Sequence, residues 1–192
     1  MRRRLGADTL RAVLNIRMNE LAIGALARAG LAEAVAAPEL ASKLRTLVAE
    51  GVAVHGAALT FARYADHVDQ PRADSPDLTG WECTTNSFHL DDVVPVHVGS
   101  SAAGEPVINE ADQVVMLRHG WGFALAVARL VRGLPEPVAV RCIVGANSTN
   151  GTFRFHRARR GESWLSPDID TYPFDKLIVV DSGPASLGGT PW

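Results

Sequence analysis

Along the first third of the chain the apolar residues recur at three- and four-residue spacings. Leu10, Val13, Leu14, Met18, Leu21 and Ala25 form one stripe, with Arg11, Asn15, Asn19 and Arg28 elsewhere on the wheel. This spacing predicts an amphipathic helix, capped by Asp8 and stopped at Gly30. Pro38 suits the first turn of a second helix, with Glu39 favourable at its positive end. That helix carries Leu40, Leu44, Leu47 and Val48 and should weaken at Gly51. A third, from Val52 to about His67, places Val54, Ala58, Phe61 and Ala65 along one side. Residues 7–67 therefore read as helical, packed on the rest of the domain or offering a surface to a partner.

The pattern then breaks. Asp69 to Gly80 is dense in turn and breaker residues and reads as a linker. Trp81–Leu90 looks like a strand, and Val93–Val98 like a second, short edge strand interrupted by Pro95. Gly99 to about Asn109 reads as loop. Residues 113–133 admit two readings. One is a β-prone run Gln113–His119 followed by a helix Phe123–Arg132. The other is a single long helix through Gly120 and Gly122. Asn109 as cap, Glu110 and Asp112 at the start and Arg129 and Arg132 at the end favour the single helix.

Beyond it the period becomes two. Val138–Val144 and Thr152–Arg157 flank Asn150-Gly151, which predicts a β-hairpin through a tight turn with positive φ. A return at Arg160-Gly161, a strand Lys176–Asp181 and a loose tail from Ser182 complete the pattern. The fold class is α+β: N-terminal helices packed with a small, mostly antiparallel sheet. Its expected organisation is a helical region over residues 1–68, a linker over 69–80, a sheet domain over 81–183 and a tail over 184–192.

Composition changes this picture little. With 192 residues, 47% hydrophobic and 21% charged, the chain can bury a substantial core. A net charge of −2 gives no general pull towards nucleic acid or an anionic membrane. The 17 arginines against two lysines, Lys43 and Lys176, point to a high-GC bacterial genome. Cys142, within an apolar run, reads as a buried thiol; Cys83, beside Glu82 and Thr84, reads as accessible. Charges at Asp8, Arg11, Arg17 and Glu20 break up any signal-peptide core, and no uncharged run approaches the ~20 residues of a bilayer span. The expectation is a cytoplasmic protein with no membrane partner.

Three constellations could carry chemistry. On a strand His89 and Asp91 would share a face, as metal ligands or as a base and its orienting carboxylate, with His97, His119 or His156 completing the set. No spacing matches a recognised metal motif, so no metal is assigned and no cofactor is named. Next, Val114-Val115-Met116-Leu117-Arg118-His119-Gly120 resembles the start of the histidine phosphatase family, and Val54-His55-Gly56 resembles that family's second motif. The resemblance implies His119 as nucleophile, with Arg118 and His55 on the phosphoryl oxygens. The two motifs stand in the reverse of the family's order. Finally, Phe153-Arg154-Phe155-His156-Arg157-Ala158-Arg159-Arg160 alternates aromatic and basic residues. Arg154, His156, Arg157 and Arg159, together with Trp121, are its candidate binding residues, suited to stacking or to carboxylate contacts. Asp181-Ser182-Gly183 follows a strand, as ordinary turns also do.

No nucleophile elbow, phosphate loop or dinucleotide fingerprint is present. The expected function is therefore a small binding or interaction protein, immunity-like, regulatory or complex-accessory, docking a protein partner or a second copy. The alternative is a small hydrolase or lyase of specialised metabolism using His89, Asp91, His119 and His156.

Overall fold

The computed structural model of the chain describes residues 13–31, 39–67 and 77–183. Asp8, Leu10, Pro38, most of the 69–80 segment and the tail 184–192 lie outside the described residues. The class is α+β: among the described residues there are four helices and an antiparallel sheet of five strands, which lie in the order Val13–Met18 (β1), Lys176–Gly183 (β9), Val140–Ala146 (β7), Gly151–Arg157 (β8) and Phe88–His89 (β4).

The central strands are β7 (Val140–Ala146), β8 (Gly151–Arg157) and β9 (Lys176–Gly183). Cys142 pairs with Phe155 on one side and with Val180 on the other. One face of these strands, with Val140, Cys142, Val144, Phe153, Phe155, Ile178 and Val180, enters the main core. The opposite face carries Leu177 and Val179, covered by Leu165, Ile169 and Tyr172 from the 158–175 connection. The tail does not begin at Ser182: Ser182 and Gly183 complete β9, paired with Leu14 and Val13.

The hairpin between β7 and β8 differs from the expected tight turn. Gly151 is already in β8, opposite Ala146, and neither Asn150 nor Gly151 has positive φ. The connection is the four residues 147–150, organised by Asn147, whose Oδ1 accepts from the backbone N–H groups of Thr149 and Asn150 at 2.8 and 2.9 Å. The local signal was real, but an asparagine turn replaces the glycine turn.

The helix α4 (Glu110–Arg132) settles the ambiguity of residues 113–133 in favour of one helix. Asn109 caps it by accepting from Asp112 N at 2.9 Å, Glu110 and Asp112 occupy its first turn, and Arg129 and Arg132 its last. By length and composition this helix could cross a bilayer; here eleven of its 23 residues are buried. At Gly120 it packs directly against the sheet. A Cβ there would overlap a methyl group of Val144 and lie 3.2 Å from Leu90 Cδ1.

The N-terminal region departs furthest from expectation. Val13–Met18 is not helical but forms β1, antiparallel to β9, with Ile16 opposite Val180. Only then does α1 (Glu20–Arg28) begin, and Asn19 caps it. The buried Asn19 accepts from Ala22 N at 3.0 Å and Leu177 N at 2.9 Å and donates to the Asp175 carbonyl at 2.7 Å. The apolar residues of 13–18 fit either period, and the open edge of β9 supplied the hydrogen bonds that decided between them. The second helix, α2 (Ser42–Glu50), starts later than Pro38 and ends at Gly51, whose φ is +83°.

In place of a third helix, residues 52–61 form a hairpin, β2 (Val52–His55) and β3 (Ala58–Phe61), followed by a 3-10 turn, Ala62–His67. Gly56, at φ +57°, takes the first central position of a two-residue loop, where positive φ favours glycine. Val52, Val54 and Thr60, β-branched around that glycine, are the strand signal in this segment.

The 69–80 segment is not linker to its end. Asp77 accepts from Gly80 N at 2.7 Å and caps α3 (Leu78–Thr85). The first half of Trp81–Leu90 is thus helix, and only Phe88–His89 forms a strand, β4, at the far edge of the sheet. A 3-10 turn covers Leu90–Asp92, no strand forms over 93–98, and β5 (Gly99–Ser100) with β6 (Pro106–Val107) makes a small hairpin within the expected loop.

Candidate functional site

Two polar side chains position the walls of the site. Helix α3 lies between the edge of β3 and the part of β8 beyond its pairing with β4. It presents Glu82 and Asn86, one turn apart, to both edges. Glu82 accepts from Leu59 N and from Arg157 N, each at 2.7 Å. Asn86 accepts from Phe61 N at 3.1 Å and donates to the carbonyls of Leu59 and Phe155 at 2.8 and 3.2 Å. Two side chains thus satisfy backbone groups that a neighbouring strand would otherwise satisfy. Both are fully buried, and the charge of Glu82 is matched by Arg159, whose Nη2 lies 2.6 Å from Oε1.

Held there, Phe61 joins Phe88, Phe123, Phe153 and Phe155 in one aromatic cluster. Its ring meets Phe155 edge-on at 4.8 Å between centroids, while Phe88 stacks on Phe153 at 5.3 Å. Over the outer side of this cluster opens a cleft of about 310 Å³ between α2, the end of β3 with its 3-10 turn, and the 87–93 segment. Leu47, Phe61, Tyr64, Phe88 and Val93 form its interior, and the exposed Lys43, Thr46, Arg63 and Ser87 its rim. The volume falls at the small end of ligand sites, which run from roughly 300 to 1,000 Å³. Lys43 Nζ donates to the Asp92 carbonyl at 2.7 Å. Arg63 is held by Glu50, whose hydrogen bond raises the guanidinium pKa above its ordinary value.

The other face of the sheet holds a second polar group. Arg141 and Asp181 are register partners and form a buried bidentate pair, Nε–Oδ1 at 2.6 Å and Nη2–Oδ2 at 3.1 Å. On the far side of Arg141 stands His156, buried, its Nδ1 2.8 Å from the carbonyl of Arg157. A carbonyl can only accept, so the proton sits on Nδ1 and Nε2 is a bare acceptor, with no partner among the described residues. Burial holds the His156 pKa below its ordinary value, helped by the charges of Arg141 and Arg159. Arg154 stacks over Trp164, 4.9 Å from the ring centroid.

The residues singled out by sequence scatter across these environments. His89 is exposed at the end of β4, opposite Thr152. Asp91 does not share a strand face with it, because the 3-10 turn carries Asp91 to the sheet edge, where it accepts from Gly151 N at 2.8 Å. His119 lies within α4, on the core side of the sheet, and accepts from Ala41 N at 3.3 Å. His156 lies on the side of the sheet away from α4, so the two histidines do not meet. Among the described residues no group of three His, Cys, Asp or Glu side chains is placed to hold a metal ion. The phosphatase resemblance also fails on geometry: Arg118-His119-Gly120 is helix interior rather than a strand end, and His55 closes β2.

Of the arginines, Arg157 and Arg159 both reach the carbonyl of the exposed Ala57, and Arg159 turns inward to pair with Glu82. Trp121 is half-buried on α4, its Nε1 without a partner among the described residues. Cys83 is buried, not accessible, and burial pushes its thiol pKa up to about 12. Cys142 is the buried thiol expected of it. Asp181 is committed to Arg141, and Ser182 is buried within β9. None of the nine cleft residues described was assigned a catalytic or binding role from the sequence. They come from separate segments, each with an unremarkable local pattern.

The fold and cleft together define a small α+β protein with an aromatic-floored, cation-rimmed recess. Over residues 17–103 the chain is similar to the Uncharacterized protein PM0498 family. Comparisons with curated proteins and with solved structures give no match. All nine residues lining the cleft lie within the family-like segment, whereas His119, Arg141, His156 and Asp181 lie outside it.

Proposed function

We propose that this chain is a small binding protein, regulatory or complex-accessory in role, whose recognition element is the cleft between α2, β3 and the 87–93 segment. The observation that carries this reading is the preformed aromatic recess, open to solvent and ringed by polar side chains, the usual composition of a small-molecule site. Its lining offers the hydroxyls of Thr46, Tyr64 and Ser87 as means of orienting a ligand, and among the described residues it includes no histidine, cysteine or carboxylate. The hydrolase or lyase alternative would need its base to come from elsewhere.

A second reading, a protein partner or a second copy of the chain, is favoured by the exposed Leu14, Leu21 and Ile23 on β1 and α1. One experiment addresses both: native mass spectrometry of protein purified from its own host, beside its denatured mass. The first reading expects a small-molecule mass excess that disappears in Thr46→Trp, a variant that fills the cleft from its rim. A protein-sized excess or an oligomer, with no small ligand, would replace it with the second.

A further inference from the structure

Among the described residues, the nine that line the cleft include two cations, Lys43 and Arg63, and no acid, although the chain as a whole is net acidic at −2. The two are not equivalent. Arg63 is already neutralised by Glu50. Lys43 gives one hydrogen bond to a neutral carbonyl, that of Asp92, and makes no salt bridge among the described residues. A backbone carbonyl takes up one of the three ammonium protons, and the ammonium can donate the other two to a ligand. It also fixes the Lys43 ammonium at the 87–93 side of the rim, so a ligand anion meeting it there does not first have to immobilise a free lysine side chain. Beneath it the interior is aromatic and shaped by edge-to-face ring contacts, with Phe61 to Tyr64 at 6.3 Å and an interplanar angle of 67°. Such rings accept another aromatic ring edge-on or offset. Ser87 and Thr46 hydroxyls stand on the same rim.

From this juxtaposition we infer that the ligand is a small aromatic carboxylate: one or two fused rings seated against Phe61, Tyr64 and Phe88, with the carboxylate at Lys43. The inference rests on the reading of the cleft as a ligand site and adds to it the sign of the ligand's charge and the nature of its body. The size excludes a dinucleotide-scale ligand. The interior, whose one polar group among the described residues is the Tyr64 hydroxyl, disfavours a sugar, whose hydroxyls would find too few partners. An aliphatic acid would use Lys43 but leave the ring contacts unmade.

The probes are indole-3-acetate, the neutral 3-methylindole and the cationic tryptamine, titrated by calorimetry into the full chain at low salt. Indole-3-acetate is expected to bind at least ten-fold more tightly than tryptamine, with 3-methylindole between them. Lys43→Glu is expected to reverse that order, and Lys43→Gln to bring the three together. Raising the salt should weaken indole-3-acetate and leave 3-methylindole unchanged. Thr46→Trp should abolish all three, with Ser87→Trp as a second blocking variant if the first fails to fold by circular dichroism.

Equal affinity for the three probes, lost in both blocking variants, would overturn the carboxylate inference and leave the cleft reading standing. An unchanged order in Lys43→Glu would overturn the assignment of the anion to Lys43. No binding of any probe by a folded wild-type chain would overturn the inference together with the cleft reading.

Discussion

Glu82 shows how much a single side chain does in this fold. Its carboxylate accepts four hydrogen bonds, from Leu59 N, Arg157 N and both terminal nitrogens of Arg159, and it is fully buried. An isosteric Glu82→Gln keeps the shape but turns one acceptor into a donor facing other donors, and leaves Arg159 without its counter-ion. Breaking a buried pair in this way costs about 3–5 kcal/mol. Urea unfolding should therefore show Glu82→Gln destabilised by several kcal/mol, whereas a loss under about 1 kcal/mol would mean that water replaces the carboxylate. In the sequence Arg159 belonged to a basic run and read as available for a partner. Its inward pairing depends on α3, which the sequence pattern concealed as a strand.

Between elements, the contact of α4 with β7 is set by glycine. In an isolated helix Gly120→Ala would gain roughly 1 kcal/mol of helix propensity. Here the added methyl overlaps Val144 and crowds Leu90, and overpacking of this kind costs typically about 1–3 kcal/mol. Gly120→Ala is therefore expected to lower the unfolding free energy despite its better propensity. Val144→Ala should recover part of that loss when combined with it. The check is a double-mutant cycle by chemical denaturation: additive single effects would show that the helix shifts away rather than clashing.

The same helix was the most legible element of the chain. Its cap, end charges and terminal glycine are local, so no tertiary information was needed to place them. The strands β7 to β9 were also legible, because central strands buried on both faces demand runs such as Leu177–Val180. The segment 13–18, the 52–61 hairpin and residues 78–85 depart from their sequence patterns for one shared reason. Short half-buried pieces satisfy both periods, and the hydrogen-bond partner available in the fold chooses between them.

Taken whole, the molecule keeps two histidines neutral on opposite sides of the sheet, and this gives its stability a pH dependence. Burial lowers the pKa of His156, and of His119, below the ordinary 6.5, with the Arg118 charge adding to the effect on His119. Above about pH 7 neither the folded nor the unfolded chain holds these protons, and the groups contribute nothing. As pH falls through 6.5 the unfolded chain binds protons that the folded chain refuses. Stability therefore falls from pH 7 towards the lowered folded-state values, by at most about 1.4 kcal/mol per pH unit for each group. Thermal melts between pH 7.5 and 5 should show this decline, and His156→Gln should make it shallower. A wild-type melting temperature independent of pH over that range would show that both rings titrate normally.

The amino-acid sequence by itself determined the α+β class, the long capped helix, the three central strands and the alternation of Phe153, Arg154, Phe155 and His156 across the sheet. Each is encoded within one segment, by periodicity or by capping chemistry acting over a few residues. Only the tertiary structure decided that Val13–Met18 is an edge strand, that Glu82 and Asn86 stand in for a missing strand, and that Lys43, Phe61, Tyr64 and Phe88 surround one cleft. Those features are relations between segments far apart in the chain. Their energies come from burial and from backbone groups finding partners, and neither leaves a local pattern to read.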